Sequence, residues 1–226
     1  MDKAFAQEVA SCRRCPRLVD YLGALPPKGG RAREDYWNRP VPGFGDPQAR
    51  VLLVGLAPGA HGANRTGRPF TGDGAGDFMY PLLHQAGFAS RPEVSGLGDG
   101  LRLTDLYISN AVKCAPPENR PLPVEFDRCR PFLAAELAAL SRLKVVLALG
   151  QGAFVSCLRL FKEAGLIVRL ADCPFGHGAA YLLANGLTLV ASYHTSRYNV
   201  QTGRIDASMF LDLLTRVREI AVRENG

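Results

Sequence analysis

Two hydrophobic patterns alternate along the chain. Short continuous apolar runs end in Gly-rich or polar stretches, and longer segments between them carry apolar residues three and four apart. The run Val51-Leu52-Leu53-Val54-Gly55, entered from Arg50, stops at Ala57-Pro58-Gly59 and reads as a strand buried on both faces. Residues 106–112, 144–150 and 187–192 repeat that pattern. Helical spacing predicts helices over residues 76–87, 131–143, 152–164 and 207–223, the second with Pro131 at its first position. Residues 23–47 are rich in Gly and Pro and read as a long loop with a short turn around residues 33–37. Loops of that length are generally functional or tied down. Strands alternating with helices predict an α/β fold: one three-layer α/β/α domain over residues 1–226 with a central, mostly parallel four-stranded sheet. Such sheets bind ligands at the carboxyl ends of their strands, here residues 55–59, 110–114, 150–152 and 193–199.

Composition narrows the class. Of 226 residues, 47% are hydrophobic and 21% charged, as in a globular protein. No apolar run reaches the roughly 18 residues of a membrane span. The first thirty residues carry Asp2, Glu8 and two cysteines without an apolar core, which argues against a secretory signal and for a cytoplasmic protein. The net charge is +6, and 22 of the 27 basic residues are Arg, whose planar fork matches phosphate oxygens. A GC-rich or thermophilic source gives the same bias. Six cysteines in a chain of this kind point to metal or redox chemistry rather than disulfides. Cys12 and Cys15 form a C-x-x-C before Pro16, Cys114 and Cys129 lie in Arg/Pro-rich context, and Cys157 and Cys173 have apolar neighbours. Four ligands and two buried bystanders is the preferred division. Spacing alone leaves a tetrahedral zinc and a 4Fe–4S cluster both open.

The segment Gly55-Leu56-Ala57-Pro58-Gly59-Ala60-His61-Gly62-Ala63-Asn64-Arg65-Thr66-Gly67-Arg68-Pro69-Phe70-Thr71-Gly72-Asp73 concentrates polar chemistry at a strand end. Its glycines let backbone N–H groups approach an anion. His61, Asn64, Arg65 and Arg68 offer phosphate donors, and Asp73 and Asp77 offer carboxylates. Neither G-x-x-x-x-G-K-[ST] nor G-x-G-x-x-G occurs there, so nucleoside-triphosphate and dinucleotide sites lose support. Asn110 ends a second strand ahead of Lys113, Cys114 and Arg120, and His194 follows the last one in Tyr193-His194-Thr195-Ser196-Arg197-Tyr198-Asn199.

These three segments, in this order, resemble the motifs of the uracil-DNA glycosylase superfamily, and the four cysteines resemble those of its iron–sulfur families 4 and 5. Gly55-Leu56-Ala57-Pro58, residues 65–73 and Asn199-Val200-Gln201-Thr202-Gly203-Arg204 favour family 5, and the likeness runs from Cys12 to the last helix. The resemblance implies a monofunctional DNA-repair hydrolase, a monomer acting on flipped-out uracil and on other deaminated bases such as hypoxanthine. It implies that His194 donates to the departing base, that Asn110 reads its edge and Phe70 stacks on it, and that Gly55 and Ala57 line the base pocket. Related branches carry a carboxylate or amide where this chain has Leu56-Ala57, so the water-orienting role passes to Asp73, with Asp77 as second candidate or as a helix cap. His61, Asn64, Arg65, Arg120, Ser196 and Arg197 are the expected DNA contacts. Cys12, Cys15, Cys114 and Cys129 would hold a 4Fe–4S cluster that packs residues 1–47 onto the domain, with Arg13, Arg14, Lys113, Arg128 and Arg130 around it facing phosphates. An electron-transfer protein and a DNA-binding module without catalysis are the competing classes. Base release from damaged DNA separates both from the glycosylase.

Overall fold

The computed structural model describes residues 3–223. Its centre is a six-stranded sheet in the order β1-β3-β2-β4-β6-β5. Strands β2 (Val51–Gly55), β3 (Leu106–Asn110), β4 (Val145–Leu149) and β6 (Thr188–Ser192) pair in parallel and are the four apolar runs of the sequence. The sheet is two strands wider than those runs indicate. β1 (Phe44–Gly45) and β5 (Ala180–Leu182) add antiparallel to its two edges. Both are two or three residues long and only partly buried, so neither carries a run of apolar residues to betray it.

Helices cover both faces. α1 (Lys3–Ala10), α2 (Pro16–Ala24), α3 (Ala63–Thr66), α4 (Gly74–Gln85), α5 (Pro123–Ala139), α6 (Gln151–Glu163), α7 (Arg197–Gln201) and α8 (Ala207–Val222) follow in chain order. On one face Leu53, Ile108, Leu147 and Val190 pack against Met79 and Leu83 of α4 and Phe210, Leu214 and Val217 of α8. On the other, Leu52, Val54, Val146 and Leu189 meet Leu133 of α5 and Phe154 and Phe161 of α6, with Cys157 and Cys173 buried among them as the sequence suggests.

α5 departs from its expected start. It begins at Pro123 and runs through Pro131, where a start at Pro131 was predicted. A proline inside a helix removes one backbone bond, yet Cys129, Phe132 and Leu133 bury one continuous stripe across it, and that packing outweighs the loss. α1, α2, α3 and α7 carry too few turns for a periodic signal.

The long loop between α2 and β2 is tied down along its length. Trp37 N–H donates to the Arg65 carbonyl at 2.9 Å, Asn38 N–H to that of Asn64 at 3.1 Å, and Val41 N–H to that of Lys113 at 2.7 Å. This strap crosses the loop after β2 and holds it against the end of the sheet.

Candidate active site

The carboxyl ends of β2, β3 and β6 open into one cleft of about 590 Å³. Leu56-Ala57-Pro58 and residues 59–63 form one wall, Phe70 and residues 72–75 another, and Asn110, Asn119, His194, Ser196 and Arg197 close it. β2 and β3 stay hydrogen-bonded past their ends, with Ala111 N–H on the Gly55 carbonyl at 2.8 Å and Val112 N–H on that of Leu56 at 3.0 Å. The cleft floor is therefore an extension of the sheet.

Three residues meet at the carboxyl end of β2. A Cβ at Gly55 would run into Oδ1 of Asn110 and lie 2.5 Å from Cζ of Phe70, so both side chains lean over the bare glycine. Phe70 reaches this position with a φ of 55°, a left-handed conformation that costs a non-glycine residue about 1–3 kcal/mol. Its backbone is clamped by Gly76 in the first turn of α4, where a Cβ would overlap the Phe70 carbonyl. Such strain persists only where the surroundings dictate it. The His194 ring lies 6.2 Å from that of Phe70, centroid to centroid, at an interplanar angle of 34°. Asn199 holds the His194 backbone, its amide donating to the carbonyl at 2.8 Å. Burial pulls the His194 pKa below its ordinary value, which keeps the ring neutral at neutral pH with one N–H to give.

Asp73, and not Asp77, caps α4, and it also lines the cleft. Its Oδ1 caps α4, accepting from the N–H of Ala75 at 3.1 Å and of Gly76 at 3.3 Å. The other oxygen, Oδ2, points at the loop after β2, 2.8 Å from where a Cβ of Gly59 would stand and overlapping one at Gly62. Burial raises the Asp73 pKa against the pull of those two N–H groups and Arg65, and Asp77 pushes the same way as burial. Asp77 itself is exposed on the first turn of α4, outside the residues that line the cleft, and does not cap the helix.

The expected DNA contacts divide. His61, Ser196 and Arg197 line the cleft, and Ser196 also caps α7 by accepting from Asn199 N–H at 3.4 Å. Arg197 is exposed and lies along Gly74. Arg65 braces the rim through the carbonyls of His61 (3.1 Å) and Gly72 (3.4 Å). Arg120 stands in solvent, 3.7 Å from Glu118. Asn64 is fully buried, its amide donating to Oδ1 of Asn38 at 3.0 Å and to the Ala60 carbonyl at 3.2 Å; it braces the loop and faces no phosphate. Arg68 and Lys113 are likewise inside, paired with Asp99 and, at 2.6 Å, with Glu136. Sequence reasoning cannot separate a basic residue that faces DNA from one whose carboxylate partner comes from a distant segment.

Asn119 is a polar cleft residue to which the sequence assigns no role. With φ 55° beside Glu118 at 54°, it reaches the cleft from the loop between β3 and α5. Asn tolerates that backbone better than other non-glycine residues, so Pro-Pro-Glu-Asn was the available signal.

The four cysteines expected as ligands converge. Cys12, Cys15, Cys114 and Cys129 line one small cavity with Leu18, Val112 and Phe132. Cys15 precedes Pro16 at the start of α2, and Cys129 Sγ accepts the Lys113 N–H at 3.2 Å. Burial pushes the thiols of Cys15 and Cys114 up, and that of Cys129 to about 11. Among the described residues, no three His, Cys, Asp or Glu side chains are grouped to hold a single metal ion.

The profile of the Uracil DNA glycosylase superfamily matches residues 42–218. The chain is 52% identical over 226 residues to a type-5 uracil-DNA glycosylase of Thermus thermophilus, covering 98% of this chain and 99% of that one. It is 42% identical over 216 residues to a type-5 enzyme of Mycobacterium tuberculosis (94% of this chain, 79% of that one). A type-4 enzyme of Archaeoglobus fulgidus is 32% identical over 156 residues (69% and 62%). With the profile spanning most of the described fold and every wall of the cleft, the chain belongs to the uracil DNA glycosylase superfamily.

Proposed function

We propose that this protein excises uracil from DNA by hydrolysing the N-glycosidic bond, leaving an abasic site with the strand intact. The observation that carries the reading is the convergence of Phe70 and Asn110 over Gly55, with His194 and Asp73 on the same cleft. A base held there stacks on Phe70, which tolerates any aromatic face, and meets an amide that can both donate and accept. The C1′–N bond breaks toward an oxocarbenium-like sugar and an anionic base. His194, neutral and preorganised, donates to the base oxygen on which charge builds. Asp73 Oδ2, set against the loop after β2, is the carboxylate oxygen assigned to stabilise the sugar cation and orient the water that attacks it. Leu56 and Ala57 add apolar surface and no hydrogen-bonding side chain, which suits a pocket that also admits hypoxanthine.

Cys12, Cys15, Cys114 and Cys129 fit a 4Fe–4S cluster: four thiols line one cavity, with a backbone N–H already on one sulfur. When bound, the cluster supplies a cross-link that fixes α1, α2 and the strap to the end of β3 and to α5.

Single-turnover release of uracil from a labelled duplex tests the reading. Wild-type protein leaves an alkali-labile site. His194→Ala slows release by roughly 10²–10³-fold, as for loss of an oxyanion-hole donor, while affinity for an abasic duplex stays within about twofold. Equal loss of rate and affinity would reduce His194 to a binding contact, and no release by either protein would remove the activity.

A further inference from the structure

The strap between α2 and β2 touches the cleft through one hydroxyl. Tyr36 is 7% exposed, and its Oη lies 3.0 Å from Nδ1 of His61, with the two rings edge to face at 89°. The same oxygen accepts the Lys28 N–H at 3.1 Å. Among the described residues this buried hydroxyl has no other acceptor for its proton, so the proton is satisfied only on Nδ1, which accepts it as the bare nitrogen of a neutral ring. His61 must then carry its own proton on Nε2. Among the described residues Nε2 has no hydrogen-bond partner, and the ring stands in the cleft wall between Ala60 and Gly62. The backbone on either side is fixed as well. Arg65 Nε donates to the His61 carbonyl at 3.1 Å, and Gly62 N–H donates to that of Gly59 at 3.2 Å.

We propose that Tyr36 is a positioning residue that locks His61 in the Nε2–H tautomer, so that a fixed donor meets a phosphate oxygen beside the flipped nucleotide. The proposal rests on the base-excision reading and gives that reading a named anchor for the DNA backbone. A neutral imidazole freely chooses which nitrogen holds the proton; here the choice is made by a loop that enters from the far side of the sheet end. It also gives the strap a function beyond packing. The segment linking α2 to the sheet, which follows the turn that carries Cys12 and Cys15, sets the hydrogen-bonding polarity of a cleft residue.

The test reads the tautomer directly. With only four histidines in the chain, ring ¹⁵N–¹H correlation spectra of the whole protein are assignable by single substitution. At mildly alkaline pH, wild-type His61 should show a bare Nδ1 and a protonated Nε2, and Tyr36→Phe should move the pair toward the opposite tautomer. Tyr36→Phe should also weaken binding to an abasic-site duplex roughly fivefold, the scale of one hydrogen bond. That loss should vanish in a His61→Gln background, because an amide nitrogen near the Nε2 position donates without tautomer control. A wild-type ring protonated on Nδ1, an unchanged ring spectrum in Tyr36→Phe, or an undiminished loss in the His61→Gln background would each overturn the proposal. If Tyr36→Phe does not fold, the wild-type spectrum alone decides. Uracil release is read on the same preparations: a correct tautomer in a protein that releases no uracil leaves the Tyr36–His61 contact standing and refutes the base-excision reading.

Discussion

One carboxylate side chain here has two oxygens with two employers. Oδ1 of Asp73 caps α4 and Oδ2 faces the cleft, so structural and chemical roles can be separated by substitution. Asn caps a helix about as well as Asp, whereas Ala loses about 1 kcal/mol. Asp73→Asn should therefore keep the melting temperature and Asp73→Ala should lower it by a few degrees, while both slow uracil release by at least roughly 10²-fold. Because burial raises the Asp73 pKa, the wild-type rate should fall as acidity protonates the carboxylate, at a pH above the ordinary aspartate range. That acid limb should be absent in Asp73→Asn. A full-rate Asp73→Asn enzyme beside an inactive Asp77→Asn enzyme would reverse this assignment. At this scale the sequence shows which residue types gather at strand ends, and Phe70, Asn110, His194 and Asp73 do meet in one cleft. It does not show direction. Asn64, Arg68 and Lys113 look like phosphate donors in a linear reading, and each is turned inward by a partner at a distance along the chain: Asn38, Asp99 and Glu136.

Among the elements, the four parallel strands and the long helices are legible because each buries a continuous run or stripe. The edge strands β1 and β5 are not, since their pairing comes from neighbours already in place. Two prolines in α5 offer two starting points, and the burial of Glu125 and Cys129 ahead of Pro131 decides for the earlier one. The N-terminal helices and the strap gain their order from the rest of the fold. Cys15 and Leu18 share a buried cluster with Cys114, Cys129 and Phe132, and the guanidinium of Arg14 lies 4.7 Å over the Phe132 ring. If a 4Fe–4S cluster completes that corner, Cys114→Ala should abolish visible absorbance and release residues 1–47 to rapid limited proteolysis. Urea unfolding should fall by roughly the 2–5 kcal/mol that loss of a cross-link over a long loop costs. A colourless wild-type protein holding stoichiometric zinc, as stable as its Cys114→Ala variant, would contradict the assignment.

Across the whole molecule, a net charge of +6 draws the protein toward DNA without specifying a base. At the sheet's carboxyl end, Arg197, His61 and the Arg65-braced rim surround a cleft lined by Phe70 and Asn110, where the proposed reading puts base selection. The family was legible from the motifs because they occupy successive strand ends, and a parallel sheet brings those ends together whatever lies between them. What the motifs could not supply is the link between the cysteine corner and the cleft, which depends on how the strap crosses the loop after β2. The central claim is hydrolytic removal of a base from an intact strand, and mass spectrometry of a duplex containing a single uracil tests it most directly. After incubation the uracil strand should be unbroken, lighter by one uracil and heavier by one water, with its complement unchanged. A uracil strand of unaltered mass, or one cleaved at the lesion without alkali, would contradict the account.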